Sequence, residues 1–326
     1  MTLHVHAPAT VPASPAGHAF DHAPDPARVG QRQALGWALA VNTALLFVEV
    51  AGGTVFGSLA LLADAAHLVS DVAGLGIALG AIILTARRAS PTHSFGFARA
   101  EVLAAQVSAL LLLAAGGWIL IEAITRLAHP TPVAGAGLAA VAAVGLLVNA
   151  GSALLVHRAM GASLNMRASV VHLATDAVGS LGALGAGLLI MGWGWSRADT
   201  AISVATGLLV VRAGWGLLRE TTHVLMEGTP RGLDPDQVQT AMLAVDGVAD
   251  VHHLHLWNLA SDIPALSAHI VLADSRTLHQ ARHTTDLVKR VLADRFALTH
   301  VTVEVECACP PAPHTPGRAP QPDACC

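Results

Sequence analysis

Between Gln33 and Arg219 the chain runs for 187 residues with only 16 Asp, Glu, Lys or Arg, about 9% against the roughly 25% of an average soluble domain. A stretch of that length and apolarity belongs in a bilayer. Each crossing needs about 20 mostly apolar residues, so the stretch has room for six helices. They are expected near Ala34–Val55, Leu59–Thr85, Val102–Leu127, Val133–Val156, Ala168–Met191 and Thr200–Leu218. From Glu220 to Glu306 the count rises to 18 charged residues in 87, a soluble composition. Four regions follow: a His-bearing disordered N-terminus (1–32), a six-helix membrane domain (33–219), a cytoplasmic domain (220–306) and a disordered Pro- and Cys-bearing tail (307–326).

Arginine placement orients the helices, because cytoplasmic loops carry the Lys and Arg excess. Arg28, Arg32, Arg87, Arg88, Arg99, Arg158, Arg167 and Arg219 fall on one side, and only Arg126 and Arg197 on the other. Both termini are therefore expected in the cytoplasm, in a multi-pass protein of the cell (inner) membrane. No apolar run in the first 32 residues has the length of a signal peptide. The four cysteines, Cys307, Cys309, Cys325 and Cys326, crowd the C-terminal end and cannot staple the body of the chain. A net charge of -4 excludes a nucleic-acid binder, which must neutralise phosphates.

The segment from Asp234 to Glu306 reads as a small α+β domain of order αββαβ. Helices are expected at Pro235–Val245 and Leu278–Phe296, and strands at Val251–Asn258, Ile263–Ala273 and Thr299–Glu306. Val301, Val303 and Val305 alternate with Thr302, Glu304 and Glu306, the period of a strand with one buried face. A domain of this size gains from dimerisation or metal.

The 18 histidines equal all Lys and Arg together, and two stand inside expected spans. His67 precedes Asp71 by four residues in the second span, and His172 precedes Asp176 by four in the fifth. At 3.6 residues per turn each pair shares a helix face. Two such faces brought together give two imidazole nitrogens and two carboxylates, a set for tetrahedral Zn²⁺, with Co²⁺ or Cd²⁺ next. A buried carboxylate costs about 2.5–3.5 kcal/mol in a span even on lenient scales, so two of them call for a compensating ion. Asp64 lies on the same side as His67. Asn42 and Glu49 share a face of the first span, where they line a polar cavity or bond adjacent helices. Glycines 74, 76, 80, 179, 182 and 185 are expected to bring the two ligand-bearing helices close. His93 is placed to sit beside a metal at the cytoplasmic mouth. His4, His6, His18, His22 and the cysteines could capture metal on mobile arms.

Ser58–Asp71 (SLALLADAAHLVSD), Ser94–Glu101 (SFGFARAE), Asn165–Asp176 (NMRASVVHLATD) and Leu225–Pro230 (LMEGTP) together resemble the cation diffusion facilitator family. The similarity runs from about Gly36 to Glu306, and His at both first positions resembles the zinc-type pattern. It implies six transmembrane helices, a metallochaperone-like cytoplasmic domain, a homodimer, and exchange of a divalent metal ion for protons. It implies too that His67, Asp71, His172 and Asp176 form the transport site. In the soluble domain, which also carries His253, His255 and His279, it implies a metal set of His252, His269, His283 or His279, Glu304 and Glu306. The expected function is export of a divalent cation, Zn²⁺ first, by a secondary transporter and not an enzyme. The alternatives are the same transport of Co²⁺ or Cd²⁺, or a membrane metalloenzyme on the same ligands. The last would need an open coordination position, and no His-Glu-x-x-His motif is present.

Overall fold

A computed structural model describes residues 26–307 apart from 57, 58, 88, 129–134, 196 and 274–276. Side chains are described within these except at 26, 27, 49, 52–67, 70, 126–128, 135, 199 and 307. Six long helices come first: α1 (Pro26–Phe56), α2 (Leu59–Thr85), α3 (Ala100–Ala128), α4 (Gly135–Arg158), α5 (Leu164–Trp193) and α6 (Arg197–Leu225). They overlie the six expected spans: α2 keeps the expected bounds, α3 and α4 differ by at most two residues at each end, and α1, α5 and α6 extend by one or two turns. Among the described residues, 100–125, 136–158, 164–193 and 200–225 are long and apolar enough to cross a membrane, and Asp71–Thr85 is a shorter apolar stretch of α2. The expected disordered start at 1–32 overlaps α1, which already begins at Pro26; its remainder and the tail beyond Cys307 lie outside the described residues.

The helices sort into two groups. α1, α2, α4 and α5 pack around Leu35, Ala38, Leu75, Ala78, Ile82, Val156, Met166 and Leu173. α3 packs chiefly on α6, through Val102, Ala105, Ala109, Leu112, Val210 and Leu217. Glycine brings that second pair close: a Cβ at Gly116 would lie 2.8 Å from Val211 Cγ2, and one at Gly207 2.8 Å from Leu120 Cδ2. Ser163 starts α5 by accepting the Met166 backbone N–H, and Gly194, left-handed at φ 66°, ends it.

The soluble part follows as α7 (Pro235–Leu243), β1 (Val248–Ala260), β2 (Ile263–Leu272), α8 (Leu278–Phe296) and β3 (His300–Cys307), the expected αββαβ order. The sheet runs β1-β2-β3, antiparallel then parallel. One face is covered by α7 and α8 through Val238, Met242, Val288 and Leu292 against Val251, Leu256, Leu266 and Ile270. The opposite face carries polar residues. The soluble part meets the helices through Arg99–Glu227 at 3.0 Å and Ser261 Oγ donating to Glu101 Oε1 at 2.9 Å. Glu220 on α6 binds Arg167 of α5 at 2.6 Å and Arg231 of the connection to α7 at 3.5 Å.

Gly116→Leu is expected to destabilise the α3–α6 pair by about 1–3 kcal/mol, the usual cost of overpacking. A lowered thermal unfolding midpoint in detergent measures it, with Gly117→Leu, where a Cβ meets nothing within 4 Å, left near the parent value.

Candidate metal centre

Asp71 and His172 meet across the α2–α5 seam. His172 Nε2 lies 3.1 Å from Asp71 Oδ1 and 3.6 Å from Asp176 Oδ2. The Asp71 side chain is wholly buried, while His172 and Asp176 are 13% and 11% exposed. One ligand atom from each lies within 4.8 Å of the other two. A tetrahedral ion with bonds of about 2.0–2.1 Å holds its ligand atoms about 3.3 Å apart, and the two measured spacings bracket that edge. Two carboxylates also balance the charge of a divalent ion without leaving net charge in the bilayer. The three residues thus fit the expected metal. His67 lies on α2 one turn before Asp71, but its side chain is outside those described, as is that of Asp64.

Local sequence sets this geometry. Asn165 starts the bridge between the two helices by donating from Nδ2 to the Ala78 carbonyl at 2.8 Å. A Cβ at Gly74 would lie 3.9 Å from His172 Nε2, so the glycine leaves room for the ring. The other expected glycines act elsewhere: Gly179 and Gly182 face Thr206 and Ile202 of α6, and 76, 80 and 185 meet nothing within 4 Å. Towards the soluble domain, α2 and α5 continue from Asp71 and His172 into an apolar cluster through Leu75, Ala78, Ile82 and Met166, joined by Val156 of α4. The triad is therefore sealed from that side by packed side chains.

The soluble domain holds a second cluster on its open sheet face. His252 pairs with His269 across β1 and β2, and His269 with Glu304 across β2 and β3. His269 Nδ1 lies 2.7 Å from Glu306 Oε1 and its Nε2 3.5 Å from Glu304 Oε2, while His252 Nε2 lies 3.4 Å from Glu306 Oε2. His252, His269 and Glu306 form a second group of metal-ligand spacing. The hydrogen bond from His269 holds the Glu306 carboxyl below its usual range.

His253, one of the histidines the sequence clusters with His252 and His269 but not one of the ligands the resemblance implies, joins this face. In a regular strand His252 and His253 point to opposite faces. Here the ladder shifts between His252 and His255, and His253 takes φ 50°. That bulge sets its ring 5.3 Å from His252 and 5.1 Å from His269. Three histidines within four positions were the available signal. His279 and His283 are exposed on α8, which covers the other face of the sheet, and neither joins the group around His269. His93 is exposed, stacked on Phe97 at 4.6 Å, and lines with His255 and Trp257 a cavity of about 970 Å³ between the loop after α2 and the sheet. His4, His6, His18, His22, Cys309, Cys325 and Cys326 lie outside the described residues.

Comparison with known proteins agrees with these features. Residues 37–226 match the family model described as cation efflux transmembrane domain, and 230–308 the one described as cation efflux protein, cytoplasmic domain. The metal cation efflux system protein CzcD of Cupriavidus metallidurans is 37% identical over 293 residues, covering 90% of each chain. The cadmium, cobalt and zinc/H(+)-K(+) antiporter of Bacillus velezensis is 35% identical, over 90% of this chain and 92% of its own. The zinc transporter ZitB of Escherichia coli is 35% identical, over 89% and 91%.

A carboxyl depressed in the folded state adds stability above the ordinary glutamate value of 4.5, and loses it as pH falls through the depressed value. Glu306→Gln is expected to flatten the acid limb of the protein's stability curve slightly, since the group is partly exposed. Thermal melts from pH 7 down to 3 read this out. Gly74→Leu is expected to crowd the His172 ring and weaken metal binding in the membrane domain, measured by calorimetry against the parent.

Proposed function

The chain belongs to the cation efflux family, and we propose that this multi-pass transporter exports Zn²⁺ from the cytoplasm in exchange for protons. The observation that carries the reading is the largely buried triad of Asp71, His172 and Asp176, whose ligand atoms lie within 4.8 Å of one another, with 3.1 and 3.6 Å from the imidazole to the two carboxylates. His67, one turn from Asp71 on α2, is assigned as the fourth ligand. Nitrogen donors beside carboxylates favour zinc over Mg²⁺ or Ca²⁺, which take oxygen shells. Co²⁺ and Cd²⁺ suit the same set, and the Bacillus relative is named as an antiporter of cadmium, cobalt and zinc.

Exchange with protons follows from the ligands. Zinc binds imidazole and carboxylate only when they are deprotonated, so protons reaching the site release the ion. Histidine changes charge within the physiological range, near its unperturbed value of about 6.5. Release and loading must open to opposite sides, and the apolar layer of Leu75, Ile82, Val156 and Met166 closes the side towards the soluble domain. Loading from that side requires α2 and α5 to part there, with the shared ion pairs of Glu220 at the edge of the opening.

Arg99, Arg167 and Arg231 all stand at the end of the helices that meets the soluble domain. The positive-inside rule then supports cytoplasmic termini and a soluble domain inside the cell, in the inner membrane. In that domain His252, His269, Glu304 and Glu306, with His253, are assigned a regulatory metal site, and the chain is assigned a homodimer. His93 is assigned to the entry cavity.

In sealed liposomes an imposed pH gradient is expected to drive zinc uptake. Asp71→Ala and Asp176→Ala are expected to weaken binding at least as much as the ~10–100-fold caused by losing a mere supporting partner, and to abolish uptake. His269→Ala is expected to leave that uptake measurable while lowering the number of ions bound per chain. A purified protein that moves no divalent ion under any gradient would overturn the reading.

A further inference from the structure

The triad occupies only half of a polar layer that crosses the four-helix group. Arg28 Nη1 donates to Thr85 Oγ1, and Leu35 and Ala38 of α1 share an apolar cluster with Ala78 and Leu75 of α2. Antiparallel counting along these helices sets Asn42 level with Asp71. On the other pair, a Cβ at Gly145 of α4 would lie 3.1 Å from Ser180 Oγ of α5. One turn along each helix from that contact sets Asn149 level with Asp176. Asn42 Nδ2 reaches Ser152 Oγ of α4 at 3.4 Å, and Ser152 lies one turn from Asn149 on the same face. Asn42, Ser152 and Asn149 thus form a track on the α1–α4 side, at the depth of the metal ligands.

This track has unspent hydrogen-bonding capacity. Asn42 is wholly buried and Asn149 is 6% exposed, yet Oδ1 of each accepts no hydrogen bond from the described residues. For Asn42 the amide orientation is fixed, because Nδ2 donates to the Ala38 carbonyl at 2.9 Å and a carbonyl only accepts. Buried acceptors of this kind are costly unless a donor meets them. The donor set is two amide oxygens and a hydroxyl, with no carboxylate in the track itself. A second divalent ion would find no compensating charge there, whereas water donates to such oxygens and needs two to four polar partners.

We infer that Asn42, Ser152 and Asn149 hold ordered water beside the transport site, and that this pocket is where the ion's hydration water is taken up and returned. The inference rests on the transport reading above. Zinc must lose water to bind the triad and regain it to leave, and the apolar layer closes one side against both steps. Water held on the α1–α4 side lowers the barrier in both directions equally. It therefore changes the rate of ion exchange and not the affinity, which distinguishes it from a residue that props up a ligand.

The test uses the full-length protein in liposomes with Zn²⁺ as probe, and hydroxyl-radical labelling, which marks side chains beside bound water. In the parent, segment 145–156 is expected to label, and Asn149→Leu is expected to lose that label. In the same variant maximal zinc flux is expected to fall about tenfold with KM within about twofold of the parent. Asn149→Ser, which keeps a polar group, is expected to recover most of the flux. An unlabelled segment in the parent overturns the inference. So does a rise in KM together with the loss of flux, or a failure of Asn149→Ser to recover. If the parent moves no zinc, the transport reading fails instead, and labelling alone still decides whether the pocket is wet.

Discussion

A carboxylate with no exposed surface, facing an imidazole across two helices, is the interaction on which the membrane domain turns. The Asp71 side chain lies 3.1 Å from His172 Nε2 at a depth where charge is expensive. The imidazole offsets part of that cost, and the ion proposed to sit between Asp71, His172 and Asp176 would offset the rest. The same cost explains the shape of the surroundings. Apolar packing through Leu75, Ile82 and Met166 keeps water from one side, which strengthens every electrostatic contact within. An ion held by such a set would bind firmly only while sealed, and its release under the proposed function would need a rearrangement of helices and a supply of protons.

The helices divide this work. α2 and α5 carry Asp71, His172 and Asp176 and pack with α1 and α4 around the apolar cluster, whereas α3 and α6 pack on each other through glycines and carry contacts to the soluble domain. Glu220 joins the two groups, because α6 presents it to Arg167 of α5 and to Arg231 at the start of the soluble part. A displacement of the soluble domain therefore has a short electrostatic path to the helix that bears His172 and Asp176. The open sheet face, with His252, His253, His269, Glu304 and Glu306, places a second group of metal-ligand spacing at the far end of that path.

Much of this was legible along the chain. Charge density placed six helices because lipid tolerates few charges at any sequence position, and the boundaries differ from the observed ones mainly in the polar end turns. Helical period put Asp176 one turn from His172, and strand period gave β3. Each of these follows from repulsion or attraction between a residue and its solvent, or from the pitch of its own element. The motifs also identified the family without any geometry.

Other features were settled only when elements met. Nothing local distinguishes His253 from a residue on the covered face; a bulge forced by the pairing of β1 with β2 turned it outward. His283 has the helical position that resemblance assigns to a ligand, but α8 packs on the opposite face of the sheet, so within one chain it stands apart from His269. Glycines on α5 looked suited to α2 and instead face α6. Asn42 was visible as a polar residue in an apolar span, but its level with Asp71 and its approach to Ser152 depend on how α1 lies against α2 and α4. The sequence by itself determined which residues lie in lipid and which types could bind metal, because those are properties of a side chain and its solvent. Tertiary structure alone decided which of them converge, since only packing fixes the rotation and depth of one element against another.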